Sequence, residues 1–268
     1  MIDLHLEREY NARAAVPEHP LYFRRWKEEG AAARASLPGF LDLAYGDDPE
    51  ERLDLFIAKP SRGLLVFFHG GYWRAFGKED FSWIAPPLVR EGWSVSVVGY
   101  GLCPRITLGE LVEQCRRSVA WLASHFPELG PLVLSGHSAG GHLVAMLWTT
   151  EWRIYGLATP QVQGGLSISG IFDLEPLLRT SVNVDLRLDL EEAKRLSPIQ
   201  HRPRLAAPLV AAVGQKESQE FRRQSQRLAA VWPGVRYLEL EGMHHFSALD
   251  ALVDTAGPLW KALLEGGN

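Results

Sequence analysis

Along this chain, short runs rich in apolar residues alternate with segments whose apolar positions recur every three or four residues. The runs at 64–68, 94–99, 131–135, 165–169, 208–213 and 235–240 predict strands. Two earlier ones, Leu41–Tyr45 and Leu53–Ala58, are split by the turn-forming Gly46-Asp47-Asp48-Pro49. Helical spacing falls near 81–91, 108–126, 139–149, 220–231 and 247–264. A further helix is predicted around LYFRRWKEEGAAARASL, after a polar start. The clearest is 108–126, where Leu108, Leu111, Val112, Cys115, Val119, Leu122 and Phe126 share one face. Thr107 and Glu110 form a capping-box pattern ahead of it. Runs such as Leu64–Phe68 and Pro208–Val213 are apolar on both faces. They imply a mostly parallel central sheet with helices on either side, an α/β architecture.

Bulk properties narrow the function. The chain has 268 residues, 46% hydrophobic and 22% charged, with a net charge of −4 and no block of like charge. That argues against nucleic acid and against a polybasic membrane partner. No apolar run approaches the roughly 18 residues of a membrane span. The first residues, MIDLHLEREYNARAAVPEHP, lack the apolar core of a signal peptide. Cys103 and Cys115 show no zinc-type spacing and are too few for a disulfide framework. The expectation is a cytoplasmic protein acting on a small molecule without cofactor or metal. It is read as a single domain over 1–268, and a homodimer is left open. Residues 1–40 are a segment that can cover the site. Residues 172–206, with Pro176, Pro198 and Pro203, read as an insertion over the sheet edge.

Two motifs carry chemistry. PLVLSGHSAGGHLVAMLW runs from an apolar strand through Gly136-His137-Ser138-Ala139-Gly140 into an apolar helix. This is G-x-S-x-G in a strand–turn–helix context, which sets a serine hydroxyl on a strained turn as a nucleophile. The flanking glycines remove side chains that would collide there. Earlier, Leu64–Phe68 ends in His69-Gly70-Gly71-Tyr72-Trp73. Glycines leave backbone amides unobstructed, as an oxyanion hole requires. Gly71, Tyr72 and Ala139 are the predicted donors, with Gly70 shaping the loop.

A serine needs a base, and in this architecture the acid and then the histidine follow it in the chain. His69, His137 and His142 lie within the motifs, and His201 lies in the proline-rich stretch. His244-His245, in the loop after Val235–Leu240, are the candidates. His245 is preferred as base, with His244 shaping the loop. No third ligand suits a metal at this pair. Glu217 lies in the loop after Pro208–Val213 and is the predicted acid. Glu220 falls in the first turn of the next helix, and Asp173 is the fallback.

Together, HGGYW, GHSAGGH, YGLCP (100–104), GIFDL (170–174), TSVN (180–183), MHHF (243–246) and Glu9-Tyr10-Asn11 resemble the kynurenine formamidase (arylformamidase) branch of the α/β-hydrolase fold. Trp73, in H-G-G-x-W, is the discriminating feature. The resemblance implies hydrolysis of N-formyl-L-kynurenine to kynurenine and formate in tryptophan breakdown. It also implies Ser138, Glu217 and His245 as triad. Animal members of the branch carry aspartate at the position of Glu217. Tyr72, Trp73, Tyr100 and Phe172 are candidates to stack on an aryl substrate, and His244 to line its pocket. Two rivals remain: a carboxylesterase for small acyl or aryl esters, and a non-catalytic ligand-binding relative of the fold.

Overall fold

The computed structural model describes residues 1–158 and 160–265. Among these, eight strands form one sheet: β1 (Gly39–Ala44), β2 (Arg52–Phe56), β3 (Leu64–Phe68), β4 (Ser94–Val98), β5 (Leu132–His137), β6 (Val162–Ile168), β7 (Leu209–Gly214) and β8 (Val235–Leu240). Their order is β1-β2-β4-β3-β5-β6-β7-β8. β1, β2 and β4 pair antiparallel, and every pairing from β4 through β3 to β8 is parallel. β3, β4, β5 and β7 are buried along their whole length, β3 and β7 as their continuous apolar character requires.

The helices are α1 (Leu4–Glu9), α2 (Ala12–Ala15), α3 (His19–Ser36), α4 (Ala85–Arg90), α5 (Leu108–His125), α6 (Ala139–Trp148), α7 (Asn183–Leu186), α8 (Leu190–Arg195), α9 (Gln219–Val231) and α10 (Pro258–Leu264). Both faces of the sheet are covered. A Cβ on Gly164 of β6 would lie 2.6 Å from Leu263 of α10. One on its neighbour Gly165 would lie 2.3 Å from Trp148 of α6. Successive strand residues face opposite sides, so α10 and α6 lie on opposite faces.

Several elements differ from the sequence reading. The polar start folds into α1 and α2, each capped locally. Asp3 accepts from the His5 and Leu6 amides, and Asn11 from that of Ala14. The helix expected over 81–91 is a 3-10 segment, Lys78–Ile84, running into α4 with prolines in its first turn. The helix expected over 247–264 is two pieces. The 3-10 turn Ser247–Leu252 ends, and Gly257-Pro258 starts α10, because proline suits a first turn and not a helix interior. At α5 the Thr107 hydroxyl accepts from the Glu110 amide, but the Glu110 carboxylate turns to Arg117 (2.7 Å) instead of closing the box.

The 172–206 segment joins β6 to β7, two interior strands of the sheet. It runs back beside α6, where the Leu196 carbonyl accepts from His142 and the Arg204 amide donates to Trp148 O. No helix among the described residues is long and apolar enough to cross a membrane.

Candidate active site

The site is assembled where β5 turns into α6. Ser138 adopts φ 57°, ψ −117°, a region that non-glycine residues occupy at a cost of about 1–3 kcal/mol. The surrounding glycines are required by close approach. A Cβ on Gly140 would lie 1.9 Å from the Phe68 carbonyl oxygen, and one on Gly136 2.2 Å from that of Gly140. The turn is pinned by the Ser138 amide, which donates to Ile168 O at 2.8 Å.

The His-Gly-Gly loop lies directly against this turn. A Cβ on Gly70 would sit 2.9 Å from His137 O and 3.1 Å from Ser138 Cβ. Gly71 (φ 110°), Tyr72 (φ 51°) and Trp73 (φ 58°) form a left-handed run. Among the described residues, the amides of Gly71, Tyr72 and Ala139 have no hydrogen-bond partner. Unpaired backbone donors are rare in folded chains, and here they cluster beside a serine hydroxyl. The Tyr72 hydroxyl donates to the Tyr10 carbonyl and ties the loop to the turn between α1 and α2.

His245 and Glu217 are brought together from the loops after β8 and β7. His245 Nδ1 donates to Glu217 Oε2 at 2.6 Å, which leaves Nε2 as the unprotonated end of the ring. The other Glu217 oxygen accepts from Ser169 Oγ (2.5 Å) and the Gly214 amide (2.7 Å). The carboxylate is fully buried, and these donors fix its orientation. The imidazole is clamped by Phe221 (4.5 Å between ring centroids) and Phe246 (5.3 Å), and its carbonyl accepts from His137 Nε2 at 2.7 Å.

The remaining motif histidines are buried and neutral. Burial pushes His137 down to about 3, with the neighbouring His245 adding to the effect. It pushes His69 and His142 to about 4. His69 and His142 donate to Gly70 O and Leu196 O, both at 2.8 Å. Asp173 and Glu220 are engaged elsewhere. Asp173 pairs with Arg227 at 2.5 Å, while Glu220 pairs with Arg223 and accepts from the Tyr10 hydroxyl at 2.8 Å.

Ser138, His245, Gly71 and Tyr72 share a cavity of about 350 Å³, within the usual range for small-molecule sites. Of the residues expected to line the substrate pocket, Trp73, Tyr100, Phe172 and His244 do not border it. Trp73 is fully buried and packs edge-on to His142 at 5.0 Å. Tyr100 is stacked on His69 at 4.2 Å, and Phe172 lies in the core. His244 turns away toward Tyr22 and Glu18. The aromatic wall consists instead of Phe23, Trp26, Phe76, Phe81 and Phe246, with Tyr10 and Tyr72. The segment before β1 thus supplies much of the enclosure. Ser169, which holds Glu217, was also not singled out by sequence. A serine directly after β6, beside Gly170, was the available signal.

The chain is similar to known hydrolases in sequence and in fold. The family model described as BD-FAE matches residues 53–231. A kynurenine formamidase of Danio rerio is 36% identical over 245 residues, covering 87% of this chain and 83% of its own. One from Salmo salar is 36% identical over 252 residues, covering 89% and 85%. A crystal structure of a candidate thioesterase from Silicibacter sp. tm1040 superposes with a TM-score of 0.88. It is 33% identical and covers 97% of this chain and 98% of that one. Solved esterases share the same fold, the α/β-hydrolase fold, and the chain is a hydrolase.

Proposed function

The chain belongs to the kynurenine formamidase family, within the group matched by the BD-FAE model, and from that premise we propose that it hydrolyses N-formyl-L-kynurenine to L-kynurenine and formate. The observation that carries this reading is the cavity lined together by a strained serine, unpaired amides and a carboxylate-held imidazole.

In this mechanism His245 Nε2 takes the Ser138 proton as Oγ attacks the formyl carbon. The negative charge gathers on the former carbonyl oxygen. The Gly71, Tyr72 and Ala139 amides meet it as an oxyanion hole, at the point where charge develops. Glu217 holds the Nδ1–H tautomer and stabilises the imidazolium. His245 then gives its proton to the aryl nitrogen, which leaves as the amine. Water, deprotonated by the same ring, releases formate from the formyl-serine. An aryl amine is a better leaving group than an alkyl amine, and formyl is the least hindered acyl group.

In the same reading the enzyme works in the cytoplasm on a diffusible small molecule, as monomer or homodimer, without nucleic acid, metal or cofactor. Two buried free cysteines suit that reducing compartment. The test is formate release from N-formyl-L-kynurenine beside a panel of small acyl and aryl esters, repeated with Ser138→Ala. Formate release that disappears in the variant supports the assignment. Turnover of esters alone gives the carboxylesterase reading, and a variant as active as the parent refutes the nucleophile.

A further inference from the structure

The wall of the cavity carries four charged side chains besides its histidines: Glu7, Arg13, Arg74 and Asp185. Arg74 and Asp185 neutralise each other at 2.5 Å. The other two have no ion-pair partner among the described residues. Glu7, on α1, is held by neutral donors: the Ser181 hydroxyl at 2.6 Å and the Ser181 amide at 2.7 Å. Arg13, on α2, lays its guanidinium over Phe23 (5.3 Å to the ring centroid) and Phe76 (5.9 Å). Packing on ring faces leaves the in-plane N–H donors free, and that edge is the one that binds a carboxylate in a fork. The cavity wall therefore carries one anion and one cation without an ion-pair partner, Glu7 half-buried and Arg13 exposed, both on short helices outside the sheet.

We propose that Arg13 and Glu7 form a subsite for the zwitterionic head of an amino-acid substrate, Arg13 taking the α-carboxylate and Glu7 the α-ammonium. The proposal rests on the formamidase reading and adds the determinants of substrate class. It gives a role to two charges without an ion-pair partner in a wall that also carries aromatic rings. An exposed lysine would supply charge without the planar fork, and an acyl-only site would need neither group.

The test uses the full chain and compounds that it does not consume. Dissociation constants are measured by titration calorimetry for L-kynurenine, kynuramine (no carboxylate) and 2-aminoacetophenone (neither charged group). The parent should bind L-kynurenine about ten-fold more tightly than kynuramine, and kynuramine more tightly than 2-aminoacetophenone, since each charge-assisted contact is worth roughly this much. Arg13→Gln should collapse the first ratio and Glu7→Gln the second, with Arg13→Lys restoring part of the first. Equal affinities in the parent overturn the proposal. So does an Arg13→Gln variant that weakens all three compounds alike, which would make the arginine a packing element over Phe23 and Phe76. Formate release by the parent is scored separately, so a failed formamidase reading and a failed subsite give different results.

Discussion

Replacing Glu217 with glutamine isolates the role of the buried carboxylate. The amide carbonyl can still accept from Ser169 Oγ and the Gly214 amide, now at 2.5 and 2.7 Å. The fold should therefore lose no more than about 1–2 kcal/mol, the range for altering one buried hydrogen bond. The other half of the side chain becomes an NH2 facing His245 Nδ1, where an oxygen now accepts at 2.6 Å. Two donors cannot face each other, so the ring must move its proton to Nε2 and present Nδ1 as acceptor. In that tautomer it cannot take the proton of Ser138. The loss expected for a wrong tautomer in an otherwise intact triad is about 10⁴ in kcat, or about 5.5 kcal/mol of barrier. The assay is kcat for formate release, with an aryl acetate as second substrate and a denaturant midpoint as fold control. Asp173→Asn is the matched comparison. That carboxylate is engaged by Arg227 and not by the imidazole, so its loss should be no more than a few-fold. A Glu217→Gln enzyme within ten-fold of the parent, or an Asp173→Asn enzyme more impaired than it, would refute the reasoning.

Further perturbations test other parts of the site. Tyr72→Phe removes the hydroxyl that ties the amide-bearing loop to Tyr10. Stability should fall by about 1 kcal/mol, and kcat about ten-fold with KM little moved; an unchanged kcat would show that the tether does not hold the amides. Gly140→Ala drives a Cβ to 1.9 Å from Phe68 O, where backbone meets backbone. It should cost about 4 kcal/mol or more, so a variant melting at the parent temperature would deny the close approach. Acid should destabilise the fold through His69, His137 and His142, whose folded values of about 4, 3 and 4 lie below the ordinary 6.5. Above 6.5 these groups are neutral in both states. As pH falls below it the unfolded chain gains protons that the fold refuses, until the folded values are reached. Going from pH 7 to 5 should then cost about 6 kcal/mol across the three, about 1.4 kcal/mol per imidazole per unit below 6.5. Denaturant midpoints that match at pH 7 and 5 would contradict this.

What could be read from the sequence was chemistry imposed by local sterics. Gly136, Ser138, Gly140 and the His-Gly-Gly loop leave a mark because no Cβ fits where backbone crosses backbone at about 2 Å. Glu217 and His245 follow from strand order, since each lies in the loop after its strand. The chamber was not legible in this way. Its wall depends on contacts such as Tyr10 with Glu220, 210 residues apart, which no local pattern encodes. Trp73, Tyr100 and Phe172 adjoin the motifs in sequence, yet their rings are taken up by the core. Phe23 and Trp26 sit in a helix whose alternation of polar and apolar residues gives little sign of which face is covered. The break at Gly257-Pro258 was readable in principle. It was hidden by apolar spacing that continues across it.

Glu7, Tyr10, Arg13, Phe23 and Trp26 all precede the first strand, whereas bond cleavage is assigned to groups carried by the sheet's own loops. Part of the cavity wall can therefore vary without touching the loops that carry the reacting groups. Libraries diversified from Glu7 to Trp26, with Tyr10 kept as the pin, should shift which molecules enter while the reacting groups stay in register.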